Sequence, residues 1–504
     1  MSGADSQPAA VSQVASGRLK GGCGQNCPPS IWFCHEDRLA GRPLAVPDWF
    51  LMESFSAAFR QKAVRLALLA SLALLTPRPV PAQSPTYKTI YSFQGEPDGR
   101  DPEGALLIGR DGALYGTTNE GGISGAGTVF QLTRIAEDGW TESVLHNFTG
   151  PDGMYPASTL MPTSNGTLYG TTREGGSIGA GTVFQLTPPQ APGDPWAETV
   201  LYNFTGGGQD ACPNGELLGG PGGVLFTTTQ GDGCTQGGSG LVISLLPPTA
   251  PGADWTEHQL LYFDGAVGKQ PRGGVVSESG SLFGTAYYNP ADESCDCGTI
   301  YELTPPADPG HSWTSTVLHA YTSGPPNLGE SPAASLTAGP GGVLYGTTQF
   351  GGSSSGSVNC NYSGFSGCGT VFQLTPPSAS GGSWTYAAIY NFTGANGDGT
   401  QPVAGVIVGK DGTIYGTTLG RGIGSPYCPG SGLRPPGCGT VFQLTPPTTP
   451  GGAWSETVLH EFTGDNGDGA YPIAALALSA SGVLYGTTSS GGTSGKGTVF
   501  AVGP

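Results

Sequence analysis

Carboxylates beside glycine recur along this sequence at intervals that invite a metal. Asp98 lies in EPDG, Asp152 in PDG, Asp210 in QDAC, Asp264 in FDG, Asp398 in NGDG, and Asp465 and Asp468 in DNGDG. A ring of hard oxygen donors would suit Ca²⁺, which makes Asp98, Asp152, Asp398 and Asp468 the candidate ligands. No copy has the D-x-[DN]-x-[DN]-G spacing of an EF-hand loop. Asp-Gly and Asn-Gly also form turns in their own right, so turn chemistry with no cofactor is the competing expectation.

Cysteine and histidine offer less. The eight cysteines beyond residue 85 fall into neighbouring pairs, Cys212/Cys234, Cys295/Cys297, Cys360/Cys368 and Cys428/Cys438, as disulfides of an exported chain would. Zinc is not expected, because the spacings do not repeat and no histidine accompanies them. His146, His319 and His460 each stand six residues after a Trp, where other copies have Tyr202, Tyr390 or Leu261. A position shared with Tyr and Leu reads as packing. No sialidase-type box is present.

The elements that must position these residues are repeats. L-Y-G-T-T or a variant begins at Leu114, Leu168, Leu225, Leu282, Leu344, Ile414 and Leu484. G-T-V-F-Q-L-T or a variant follows from Gly127, Gly181, Gly240, Gly298, Gly369, Gly439 and Gly497. A Trp-tagged phrase comes next, at Trp140, Trp196, Trp255, Trp313, Trp384 and Trp454, and its untagged first copy runs from Tyr87 to Phe93. A Pro-x-Ala-x-Leu segment completes the unit. Four short β-rich segments cannot bury a core alone, so seven units must stack. The expected fold is all-β, a seven-bladed β-propeller of four-stranded antiparallel blades over 83–504. Pro-x-Ala-x-Leu would be the inner strand and the Trp phrase the outer one, with the N-terminal strand closing the ring.

The repeated LYGTTxxGGxxGxGTVFQLT phrase, kept nearly intact in five copies across 87–504, resembles the Gloeobacter/Verrucomicrobia-type tandem repeat of secreted bacterial proteins. That resemblance implies an exported bacterial protein and brings no agreed activity. The order of phrases is also similar to that of kelch propellers.

Export is legible upstream. Arg60, Lys62 and Arg65 precede an apolar run from Leu66 to Leu75, and Val80-Pro81-Ala82 supplies a cleavage site before Gln83. These are the three parts of a signal peptide, and the run is too short to span a bilayer. Residues 52–82 are the expected signal, with Met52 as the start and 1–51 as a non-native or disordered extension. The product is expected outside the cytoplasm, in the medium or periplasm, as a monomer. Residues 1–85 carry eight Lys/Arg against five Asp/Glu, whereas 86–504 carry eleven against thirty-two. Such an acidic body would repel a phosphate backbone, which excludes nucleic acid as a partner.

The variation points to a face. From the first residue of each L-Y-G-T-T to the Gly of G-T-V-F the gaps are 13, 13, 15, 16, 25, 25 and 13 residues. In a meander these loops share one end of the blades with the crossovers, and varied loops on a rigid scaffold tend to carry function. The two long loops, 351–368 and 421–438, hold Tyr362, Phe365, Tyr427 and Arg434, suited to stacking on a sugar or peptide. The leading expectation is a non-enzymatic binding or scaffold protein for a glycan, peptide or protein partner. Its rivals are a polysaccharide hydrolase or lyase with two carboxylates at the channel mouth, roughly 5–10 Å apart, and a structural envelope or matrix protein.

Overall fold

Thr, Val, Phe and Leu succeed one another through G-T-V-F-Q-L-T because the strand they form is covered on both faces. In Thr128–Arg134 the first three residues and Leu132 are all buried, the pattern of a strand held between two layers. The computed structural model describes residues 85–503, except 136–138, 192, 208–209, 232–237, 290–296, 309–310, 323–328, 353–359, 361–366, 380, 422–426, 429–435 and 450. The expected extension 1–51 and signal 52–82 lie outside the described residues. So do Tyr362, Phe365, Arg434, Cys234 and Cys295.

Seven four-stranded antiparallel sheets follow one another as the blades of a propeller. Blade 1 runs outward as Leu107–Ile108, Leu114–Thr118, Thr128–Arg134 and Trp140–Asn147. Blades 2 to 6 repeat that order. In the seventh sheet Ala477–Leu478, Leu484–Thr488 and Thr498–Gly503 are completed by Thr86–Ser92, which pairs antiparallel with Thr498–Gly503. No helix among the described residues is long and apolar enough to cross a membrane.

Seven buried clusters separate the blades. One packs Val129 and Phe148 of blade 1 against Leu168 and Phe184 of blade 2. Another packs Phe93 and Val499 of the seventh sheet against Leu106 and Phe130 of blade 1. Phenylalanines meet edge to face, with centroids 5.1 Å apart for Phe93/Phe130, Phe148/Phe184, Phe392/Phe442 and Phe462/Phe500. Each fully buried ring contributes about 2–3 kcal/mol by burial, so the seams hold most of the apolar stabilisation.

Backbone fit explains the glycines of the two phrases. Gly127 has φ +94°, and a Cβ there would lie 2.7 Å from Pro156 of the next blade. Gly497 makes the same approach to Pro102 across the last seam. The Gly of L-Y-G-T-T makes room for a Phe, since a Cβ on Gly116 would meet Phe130 at 2.6 Å. Blade 3 departs from both phrases together: Thr227 replaces that Gly and pairs with Ile243, which replaces the Phe.

Every outer strand carries a bulge at the same place, between Val129 and Phe130 of the partner in blade 1 and at matching sites in the other six. Side chains four apart on a regular strand share a face. The extra residue reverses the sense. Glu142 pairs with Leu132, which faces the seventh sheet, whereas His146 pairs with Val129, which faces blade 2. Four outer strands thus give a Glu (Glu142, Glu198, Glu257, Glu456) to the seam behind, and six give a His or Tyr to the seam ahead, blade 3 having Leu261 there.

Candidate functional site

The inner strands enclose a central channel of about 920 Å³, within the range of small-ligand sites. Its wall contains the Pro-x-Ala-x-Leu segments of all seven blades, which places those segments innermost. The residue after each proline reaches this wall: Glu103, Ala157, Asn214, Arg272, Ala333, Val403 and Ile473. It follows an unusual one. Asp101, Tyr155, Cys212, Gln270, Ser331, Gln401 and Tyr471, each immediately before the proline, have φ of 56–59°, a left-handed conformation that costs a non-glycine residue about 1 kcal/mol or more. Two backbone bonds impose it. Tyr155 N–H donates to Ala126 O of the preceding blade, and Tyr155 O accepts from Arg173 N–H, just past L-Y-G-T-T. The other six make the same pair of bonds. Crossover, variable loop and channel rim therefore meet at one end of the blades.

The rim is unequal. Blades 1 to 5 give it Glu103, Asn214, Arg272 and, from a neighbouring position, Arg173, Gln230 and Gln349; blades 6 and 7 give it Val403, Leu419 and Ile473. Arg173 is paired with Glu103 at 3.2 Å. Glu216 Oε1 accepts from Thr159 Oγ1 at 2.7 Å. Arg272 lies over the ring of Tyr287, 3.6 Å from its centroid, and its buried Nε has no hydrogen-bond partner.

The crossover aspartates do not converge on the channel. Each closes its own turn and reaches the seam between two outer strands. Asp98 accepts from Gln94 N, Gly95 N and Tyr91 Oη. Asp152 accepts from Thr149 N and His146 Nε2. Asp398 accepts from Thr393, and Asp468 from Thr463 and His460 Nε2. A Glu from the next outer strand faces the first three of these aspartates, and Glu257 faces Asp210 in the same way. Burial, with the charge of the facing Asp, pushes Glu142, Glu198, Glu257 and Glu456 up to about 7. Burial also raises Asp398. Glu142, Glu198 and Glu456 each keep a buried Oε1 without a partner, as Asp210 and Asp398 keep an Oδ1. Protonation of the raised Glu carboxyls would supply a donor there, since a protonated carboxyl donates where a carboxylate cannot.

Among the described residues, His146, Asp152 and Glu198 form the group whose ligand atoms, within 4.8 Å of one another, could hold a metal ion. The equivalent seams have Tyr91, Tyr202 or Tyr390 in the histidine position and lack its nitrogen. Two carboxylates per seam also fall well short of the six to eight oxygens Ca²⁺ takes. The histidines are packing groups as well. His319 stacks on Tyr386, and burial takes it down to about 4; His460 stacks on Tyr87.

Disulfides join Cys360 to Cys368 and Cys428 to Cys438. Cys212 and Cys297 are also disulfide-bonded, and the partners expected for them lie outside the described residues. Cys360 Sγ lies 4.0 Å from Thr393 O, and Gly464 packs beside Cys428 and Cys438, so both long loops are anchored against the crossover that follows their blade. Tyr427, in the second of these loops, is 62% exposed.

The model of the Gloeobacter/Verrucomicrobia repeat matches residues 79–250, 134–360 and 356–504, which is the whole propeller. The chain belongs to that family. No curated protein matches this Gloeobacter/Verrucomicrobia repeat protein. Among solved structures it is similar to a gluconolactonase from Xanthomonas campestris, at 12% identity over 66% of this chain and 85% of that one, with a TM-score of 0.35. It is also similar to a luciferin-regenerating enzyme, at 13% identity over 73% and 98% with a TM-score of 0.40. A polysaccharide lyase bound to a sulfated glycan fragment matches at 10% identity over 81% and 95%, again with a TM-score of 0.40. At that level of likeness none of them bears on what this repeat protein does.

Proposed function

We propose that this is a secreted, non-enzymatic binding propeller whose ligand, a glycan, peptide or protein segment, seats at the channel rim on the face bearing the crossovers and long loops. One observation carries the reading. The framework phrases are nearly the same in most blades, yet the channel-facing residue after the proline is Glu, Ala, Asn, Arg, Ala, Val and Ile in turn. Identical blades need no such divergence for packing, whereas a site for an asymmetric ligand does. Both long loops leave and rejoin their blades at this end, and Tyr362, Phe365, Tyr427 and Arg434 are the proposed contacts.

A binding role also fits the disposition of the acids. The carboxyls that burial raises lie on outer strands or, for Asp398, in a crossover, away from the channel, and the channel's own Glu103 and Glu216 are each held by another side chain. The test is an array of glycans, cell-wall fragments and peptides, probed with the parent protein and with Ile473→Trp, which fills the rim. A ligand bound by the parent should be lost by the variant, with the circular dichroism spectrum unchanged. Equal retention by both would refute a rim site.

A further inference from the structure

The two channel arginines are not equivalent. Arg173 is neutralised by Glu103, and Glu216 is engaged by Thr159. Arg272 has no ion pair and no hydrogen bond on its guanidinium among the described residues, and its Nε is buried without a partner. The chain has 37 acidic residues against 19 basic ones, yet none of the described carboxylates pairs with this cation. It is nevertheless held in place. The guanidinium stacks 3.6 Å over Tyr287, a ring only 4% exposed, and Tyr287 Oη donates to Gln349 Oε1 at 3.0 Å. Asn214 Nδ2 donates to the carbonyl of Arg272 at 3.0 Å and fixes the backbone that carries it. A rigid fork of unused N–H donors in a cavity is the arrangement that takes an oxyanion in bidentate fashion.

We propose that Arg272 is the anion-binding point of the channel, and that the ligand is an acidic saccharide bringing one carboxylate to this guanidinium. The assignment rests on the rim being the binding site. One unpaired cation matches one negative charge, and the acidic body of the protein disfavours polyanions. Around Arg272, Asn214, Gln230 and Gln349 offer amides that both donate and accept, as sugar hydroxyls require. Val403 and Ile473, from blades 6 and 7, offer an apolar wall for the C–H face of a ring.

The experiment is isothermal titration of the full chain with a 1,4-linked disaccharide carrying a single hexuronate, the matching neutral disaccharide and a tripeptide with a free C-terminal carboxylate. Arg272→Gln, Arg272→Lys and Ile473→Trp are titrated alongside, each checked for an unchanged melting transition. The parent should bind the uronate at least about tenfold more tightly than the neutral sugar. Arg272→Gln should abolish that preference while leaving the neutral sugar unaffected, and Arg272→Lys should restore part of it. Equal affinity for the two sugars, both lost in Ile473→Trp, would overturn the carboxylate assignment and leave the rim site standing. Uronate binding indifferent to Arg272→Gln and Ile473→Trp alike would overturn both. Binding of the tripeptide without the uronate, or of no probe at all, would overturn the saccharide.

Discussion

Raising the pH from 4.5 to 8 should loosen four of the seven seams, because Glu142, Glu198, Glu257 and Glu456 then give up protons that folding helps them keep. Burial and the facing Asp raise each from an ordinary value of 4.5 to about 7. The folded state therefore binds more protons than the unfolded chain between those limits. Stability is fully present below pH 4.5 and falls as the pH climbs through 7. A shift of this size corresponds to about 3 kcal/mol for a fully buried group. These side chains are only half-buried, so solvent screening leaves about 1 kcal/mol each, or about 4 kcal/mol together. For a domain of this length the unfolding entropy is about 0.9 kcal/mol per kelvin, which makes the effect about 4–5 °C in Tm. His319, taken down to about 4 by burial, works in the opposite sense below pH 6.5, so parent and variant are best compared at each pH. The fourfold variant E142Q/E198Q/E257Q/E456Q keeps a donor facing each Asp and cannot ionise. Calorimetry should find it about 4 °C more stable than the parent at pH 8 and no more stable at pH 4.5. A gain of the same size at both values, or a loss at pH 8, would refute the raised Glu carboxyls as the source of the pH dependence.

The other predictions concern processing, closure and the loops. Mass spectrometry of exported protein should find Gln83 at its N-terminus, and peptides from 1–51 in the medium would sink that expectation. Deleting 83–94 removes Thr86–Ser92 from the seventh sheet and Phe93 from its seam with blade 1; losing the buried Phe alone costs about 3–5 kcal/mol, so an unchanged melting transition would contradict the pairing. Replacing 351–368 and 421–438 with the short loop of the second blade should preserve the fold and weaken ligand retention, and unaltered retention would place the contacts elsewhere.

Strand identity and order were legible because they are written seven times over. The Gly of L-Y-G-T-T and the Phe of G-T-V-F change together in blade 3, where Thr227 meets Ile243, so the departure from the repeat marked a contact. What a one-dimensional pattern could not show is which residues of neighbouring copies meet. Glu142 and Asp98 stand 44 positions apart and belong to different units, so the carboxyl pairs became visible only once the blades were side by side. The bulge hid the sense of the outer strand, since a period of two puts Glu142 and His146 on one face. The rim was within reach of the sequence. Pro-x-Ala-x-Leu reads as the inner strand from the repeat alone, and the variable residue after its proline is the mark of the rim. The aspartates stand out in the sequence by their recurrence, but that Asp98, Asp152, Asp210 and Asp398 each face a glutamate of the next outer strand is visible only in the fold.

The bulged outer strand has a consequence for how such a ring can grow. Because each blade presents one kind of surface behind and another ahead, every seam is a head-to-tail contact, in contrast to the self-complementary patch of a twofold dimer. A heterologous contact of this kind sets no limit on its own repetition. The wedge angle between successive sheets decides whether the series meets its own beginning, and here the circle is completed at seven. A duplicated or deleted whole unit would still present matched chemistry to both neighbours. Gain or loss of a whole blade would keep that head-to-tail sense, whereas loss of part of one would leave a buried seam face uncovered.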